Sequence, residues 1–139
     1  MPKIYLSPST QDWNMYVTGS GSEEYNMNLL ADALVPYLLS NGIQYQRNRP
    51  EMTAGSCIRE ANQGEYDLYL ALHSNAAPEG RYGEERGIIA FYYPGSVGGQ
   101  RAAELIAQEL RKIYPLPNKV TTRPTTSLGE VRQPRFPSV

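Results

Sequence analysis

The stretch Leu68-Tyr69-Leu70-Ala71-Leu72-His73-Ser74-Asn75 constrains this chain more than any other. It is an apolar run opened by Asp67 that ends on the only histidine of the chain, followed at once by a small hydroxyl and an amide. Short, rich in Leu and Tyr, and bounded by polar residues, it reads as a buried strand. Alternation puts Leu68, Leu70 and Leu72 on one face and Tyr69, Ala71 and His73 on the other, and both faces are apolar until His73. Such a strand belongs in a sheet covered on both sides. Ligands of open α/β sheets bind at the carboxyl ends of strands, where His73 falls. A lone histidine at a strand end is more often simply held by a backbone carbonyl, so the position alone assigns it no chemistry.

Around this strand the sequence alternates strand and helix signals. Ile4-Tyr5-Leu6 reads as a buried strand stopped by Ser7-Pro8-Ser9-Thr10, and residues 11–22 lack periodicity and read as a loop. Ser22 caps a helix over 23–40, with Glu23 and Glu24 in its first turn and Met27, Leu30, Ala31, Leu34 and Leu38 at helical spacing. Pro36 is expected to kink this helix or end its regular part, and Asn41-Gly42 supplies the stop. The pattern continues with a weak strand over 43–46, a short helix over 56–62 and the central strand over 67–73. A mobile loop over 76–83, a strand over 87–93, a helix over 99–114 and a weak strand over 119–122 follow. Alternating strands and helices predict an α/β domain of three layers around one sheet. Phe136-Pro137-Ser138-Val139 looks like the start of an apolar strand at which the chain stops, so an incomplete domain is expected.

Composition removes several function classes. A net charge of −1 without a basic run lacks the electrostatic footprint of a nucleic-acid binder. No apolar stretch reaches the ~20 residues needed to span a bilayer. A strand beginning within the first few residues leaves no room for a signal peptide, so localisation is not read from the sequence. Cys57 is alone, which excludes an internal disulfide and a Cys-based zinc site. Eleven tyrosines against two phenylalanines and one tryptophan suit contacts with sugars or peptides, and equally core and rim packing.

Glu24 at the start of the first helix and His73 at the end of the central strand are the candidate constellation. A carboxylate and an imidazole brought together by the fold can bind Zn²⁺, which in catalytic sites takes three protein ligands and a water. A glutamate in a first helical turn is accounted for equally by the helix macrodipole.

Taken along its whole length, the chain resembles the catalytic domain of the zinc-dependent N-acetylmuramoyl-L-alanine amidases, autolysin-type hydrolases that cut between muramic acid and the first alanine of the stem peptide. Ile4-Tyr5-Leu6 with Ser7-Pro8 sits where that family has a strand and an Asp-Pro-Gly-His-Gly turn. Glu24 matches its helix-start glutamate, Arg59-Glu60-Ala61-Asn62 its Arg…Ala-Asn element, and Leu72-His73-Ser74-Asn75 its Ile-His-Ala-Asn. Gly87 to Tyr93, the Ala102–Leu110 helix and Ser127-Leu128 through Arg132 follow in the family's order. The resemblance implies one amidase domain over residues 1–139, with a mixed, mostly parallel sheet flanked by helices on both faces (a phosphorylase/hydrolase-like amidase fold). It further implies one Zn²⁺ held by Glu24 and His73, Asn75 as a substrate contact, peptidoglycan as partner and the bacterial cell wall as site of action.

Two departures shape the expected activity. The family's first ligand histidine falls on Thr10, leaving Thr10, Gln11 or Asp12 as a weak third ligand. Its catalytic glutamate falls after Val139, so no residue of the chain is matched to that role and these 139 residues are expected to hydrolyse cell walls poorly. The alternative is a degenerate, non-catalytic amidase-like module that binds wall fragments, supported by the missing histidine.

Overall fold

Parallel pairing explains why the central segment is apolar on both faces. In the computed structural model, which describes residues 1–75 and 86–139, β1 (Lys3–Pro8) lies between β2 (Gln44–Arg47) and β3 (Leu68–Leu72), parallel to both. Register sets Ile4 beside Leu68, Tyr5 beside Tyr69 and Ser7 beside Ala71. A second parallel ladder joins β4 (Ile88–Tyr92) to β5 (Val120–Pro124). The mixed sheet implied by the resemblance is therefore parallel at every strand pairing among the described residues. From β1 to β3 the reason is local, because a helix follows each strand and returns the chain to start the next in the same direction. The loop expected over 76–83 lies outside the described residues.

The other edge of β3 is taken by the last residues of the chain. Tyr69 N–H donates to Pro137 O (2.9 Å), Val139 N–H to Tyr69 O (3.0 Å) and Ala71 N–H to Val139 O (2.9 Å). Val139 also packs in one apolar cluster with Ala90 of β4 and Leu68 and Leu70 of β3, so this segment ties the two ladders together.

Helices cover both faces. Ile4 and Leu6 pack beneath α1 (Glu23–Ser40) against Ala31 and Leu38, while Tyr5 and Tyr69 pack on the other face against Cys57, Ile58 and Ala61 of α2 (Ala54–Asn62). Leu68 and Leu70 touch both the α1 cluster and the cluster under α3 (Val97–Arg111), which places α1 and α3 on the same side. A short α4 (Gly129–Arg132) packs against α2 and β3. Among the described residues no helix is long and apolar enough to cross a membrane.

Ser22 caps α1, its hydroxyl accepting the Tyr25 N–H at 3.0 Å. The helix runs through Pro36 without ending there. Pro36 lies on the solvent side, where water can satisfy the Asp32 carbonyl that loses its helical donor. Leu34, Val35 and Leu38 meanwhile continue the packing onto β1 on both sides of it. The stop comes at Asn41, and Gly42 takes the left-handed turn at φ 71°.

The abundant tyrosine has a partly structural meaning. Tyr5 and Tyr69 are both fully buried, with rings stacked at 5.2 Å, and Tyr66 meets Tyr5 edge-on at 5.5 Å. Leu6 is likewise fully buried, whereas Ile113 is 79% exposed. Leu6→Ala is therefore expected to cost about 2–5 kcal/mol, read as a lowered urea midpoint, while Ile113→Ala stays within about 0.5 kcal/mol of the parent.

Candidate functional site

The carboxyl ends of β1 and β3 gather a cluster of polar side chains. His73 follows β3 on the Tyr69 face, and its ring sits between two carboxylates. Nδ1 is 3.4 Å from Glu23 Oε1 and Nε2 is 2.6 Å from Glu130 Oε1. The glutamate facing His73 is thus Glu23 and not Glu24. Ser22 is the cap, so Glu23 is the first helical residue and points at the strand ends, while Glu24, about 100° further round the helix, turns away and is only half-buried. Glu23 is 1% exposed. Its Oε1 accepts the Ser74 N–H at 2.7 Å, and the Ser9 hydroxyl also donates to its carboxylate.

Glu130 is a site residue that the sequence reading missed. It stands on the four-residue α4, 9% exposed, and its Oε2 accepts from the Tyr69 hydroxyl (2.5 Å) and the Ser7 hydroxyl (2.8 Å). Below it, Asn48 Nδ2 reaches Ser7 Oγ, Pro8 O and Cys57 Sγ, which closes a buried polar network. Among the described residues no buried side-chain nitrogen or oxygen lacks a partner. The available signal was a single acid set in the run Leu128-Gly129-Glu130-Val131, where a solvent-facing helix would carry several.

The loop over 11–22 supplies the remaining wall. Met15 pairs antiparallel with Ser22, with Tyr16 N–H donating to Gly21 O and Glu23 N–H to Asn14 O, so the loop folds back as a small hairpin. This sets Asn14 Nδ2 between Gln11 Oε1 (3.1 Å) and Glu23 Oε2 (3.4 Å). Of the three expected third ligands, Gln11 is the one linked to the Glu23 carboxylate, through the Asn14 amide that donates to both. Thr10 is half-buried and Asp12 is exposed on a turn closed by its own N–H onto Thr10 O. The Tyr16 hydroxyl meets Ser74 Oγ at 2.6 Å. Beside it opens a groove of about 310 Å³ lined by Asn14, Met15, Tyr16, Val17, Ser74 and Asn75.

The charges follow from this geometry. Burial by itself would raise the Glu23 carboxyl, but hydrogen bonds from His73, the Ser74 N–H and Ser9 outweigh it and hold Glu23 below the usual range. Burial would likewise lower His73, yet the Glu130 and Glu23 carboxylates push it up to about 9. The two glutamates on either side of the ring thus favour its protonated form.

The same atoms fit part of a zinc centre. Two donors on a tetrahedral zinc, at ~2.0–2.2 Å each, lie about 3.3–3.6 Å apart, and Glu23 Oε1 and His73 Nδ1 are separated by 3.4 Å. Glu130 on Nε2 then plays the part of the carboxylate that fixes the tautomer and orientation of a metal-binding histidine. The fit stops at two strong donors. Among the described residues no three His, Cys, Asp or Glu side chains are arranged to hold a metal ion, and what adjoins Glu23 besides His73 and the Ser74 N–H is the hydroxyl of Ser9 and the amide of Asn14.

The raised His73 makes a pH prediction. A histidine whose folded pKa of about 9 exceeds its ordinary 6.5 stabilises the fold fully below 6.5 and loses that contribution as pH climbs to 9. The melting temperature of the metal-free chain is expected to fall between pH 6.5 and 9. In His73→Gln, that segment of the pH profile is expected to flatten.

No family model and no curated protein sequence matches the chain. Solved structures do match its fold. The CwlD amidase from Clostridioides difficile, solved in complex with the GerS lipoprotein, superposes with a TM-score of 0.82 at 15% identity over 99% of this chain and 79% of that one. An N-acetylmuramoyl-L-alanine amidase from Clostridium difficile 630 gives 0.81 at 16% identity, over 99% and 76% of the two chains. AmiC2 of Nostoc punctiforme, also an N-acetylmuramoyl-L-alanine amidase, gives 0.79 at 14% identity, over 99% and 76%. This chain has the α/β fold of those amidases.

Proposed function

We propose that the chain is an amidase-type peptidoglycan hydrolase domain acting on the bond between N-acetylmuramic acid and L-alanine, with one Zn²⁺ held by Glu23 and His73. The observation that carries this reading is the 3.4 Å separation of Glu23 Oε1 and His73 Nδ1, with Glu130 holding the far side of the ring. The amidase fold of the neighbouring structures supports it. Bound zinc supplies Lewis acidity toward an amide carbonyl and lowers the pKa of a coordinated water. The chain's own residues do the rest. Glu130 fixes the ring, Ser9 and the Ser74 N–H aim the Glu23 carboxylate, and Gln11 offers a neutral oxygen as a weak third donor. Asn75 lies on the groove where a substrate amide would be received. Hydrolysis adds water across that amide, leaving a lactyl carboxylate and a free alanine amine. The resemblance implies a further, proton-accepting glutamate to which none of residues 1–139 is matched.

A second reading has its own observation. Two strong donors with only hydroxyls and amides beside them describe a weak metal site, and a non-catalytic module that binds wall fragments in the groove needs no metal at all.

Zinc titration distinguishes the two. The hydrolase reading expects one equivalent of zinc per chain, lost in His73→Ala and Glu23→Gln and weakened about 10- to 100-fold in Glu130→Gln. Because His73 must release its Nδ1 proton to bind metal, affinity is expected to rise about tenfold per pH unit up to about 9. Purified cell walls are then assayed for new alanine amino groups, with the 139 residues expected to be slow and a longer form carrying the implied glutamate fast. Wall binding with neither zinc uptake nor new amines from the longer form would overturn the hydrolase reading in favour of the second.

A further inference from the structure

One side chain ties the hairpin over residues 12–20 to the rest of the domain. Every residue of that stretch is exposed except Tyr16, which is half-buried. Trp13, Met15 and Val17 are 73%, 60% and 72% exposed, so apolar burial does little to hold it. Its backbone hydrogen bonds close onto neighbouring residues between Thr10 and Glu23. Among the described residues, its one hydrogen bond to a distant part of the chain joins the Tyr16 hydroxyl to Ser74 Oγ at 2.6 Å.

Ser74 in turn holds Glu23, its N–H donating to Glu23 Oε1 at 2.7 Å. The hairpin reaches Glu23 from the other side. Asn14 O accepts the Glu23 N–H at 2.8 Å, and Asn14 Nδ2 lies 3.4 Å from Glu23 Oε2. Tyr16, Ser74, Glu23 and Asn14 thus form a closed ring of contacts, completed through Met15 between Asn14 and Tyr16. The N–H groups of the first turn of α1 are occupied as well, Glu23 by Asn14 O, Glu24 by Gln11 O and Tyr25 by Ser22 Oγ. A hairpin that swings away takes Asn14 O from the helix end, and the N–H groups left free there compete for the Glu23 carboxylate.

We propose that Tyr16 is a positioning residue for Glu23. Its hydroxyl pins Ser74 and the hairpin to one another, and this keeps the Glu23 carboxylate turned to His73 and away from the end of its own helix. The effect on zinc rests on the reading of Glu23 as a metal ligand, whereas the positioning belongs to the metal-free chain.

Amide NMR of the metal-free 139-residue chain reads the Ser74 N–H directly. Tyr16→Phe removes the hydroxyl and keeps the ring. Its Ser74 amide proton is expected to exchange roughly 3- to 10-fold faster, the loss of about one hydrogen bond. The proton's chemical shift should move in the direction produced by Glu23→Gln, because in both variants the N–H loses a charged acceptor. Ser74→Ala should match Tyr16→Phe, and the double variant should be no worse than either. The Tyr69 and Ala71 amides of β3 should keep the parent's rates in Tyr16→Phe, and exposed Trp13→Ala should leave the Ser74 amide unchanged. Zinc affinity should fall about tenfold in Tyr16→Phe, the lower end for a group that orients a metal ligand. A parental Ser74 rate and shift in Tyr16→Phe overturn the proposal. So does faster exchange shared by the β3 amides or by Trp13→Ala, which marks general loosening. If the parent chain takes up no zinc, the metal reading falls and the Ser74 amide still decides this one.

Discussion

Two carboxylates buried at one end of a parallel sheet, with a single imidazole between them, constrain the whole arrangement. An ionised carboxylate out of water is tolerated only where hydrogen bonds and an opposite charge replace its hydration. Here Glu23 takes His73, Ser9 and the Ser74 N–H, and Glu130 takes His73, Tyr69 and Ser7. Those partners come from β1, β3 and the turn that follows β3, so satisfying the two acids fixes the register of these strands against each other. A slip of one residue would turn Ser7 and Tyr69 to the α1 side and strand Glu130 without donors. The same demand fixes the first turn of α1 and the short α4, which have few other reasons to meet.

Much of the fold could be read from the sequence because its signals are local. The two-sided apolar run at β3, the Ser22 cap and the Gly42 stop each act within a few residues, and the elements appear within a few positions of where they are expected. The site was legible only in part. His73 announces itself as a unique residue at a strand end. Choosing between Glu23 and Glu24 required the phase of a helix whose first residue depends on a single cap. Glu130 could not be found by periodicity at all, since four residues of helix carry no period and its partners are about 60 to 120 positions away. The tyrosine count was ambiguous for a related reason. Whether a tyrosine is core or contact surface depends on which face of a strand it occupies, and Tyr5 and Tyr69 fall on the face that α2 covers.

The neutral side chains beside Glu23 are themselves organised. Where a third strong donor is implied, the chain has Ser9, Gln11 and Asn14 joined to one another or to Glu23 by hydrogen bonds. The neutral groups leave Glu23 and Glu130 as the negative charges nearest His73.

The closing of β3 by Pro137–Val139 has a bearing on how the protein is made. A ribosome adds residues one after another, at roughly 5–20 each second in cells, and early segments fold as they emerge. In this chain β1, α1, β2, α2 and β3 can assemble from the nascent end, but one edge of β3 and the Tyr69 hydroxyl wait for residues 130–139. For several seconds the growing polypeptide holds His73 at the end of an open strand, with Glu23 in place and Glu130 still inside the ribosome. Until residues 130–139 have emerged, the growing chain carries the scaffold of this polar cluster without its second carboxylate.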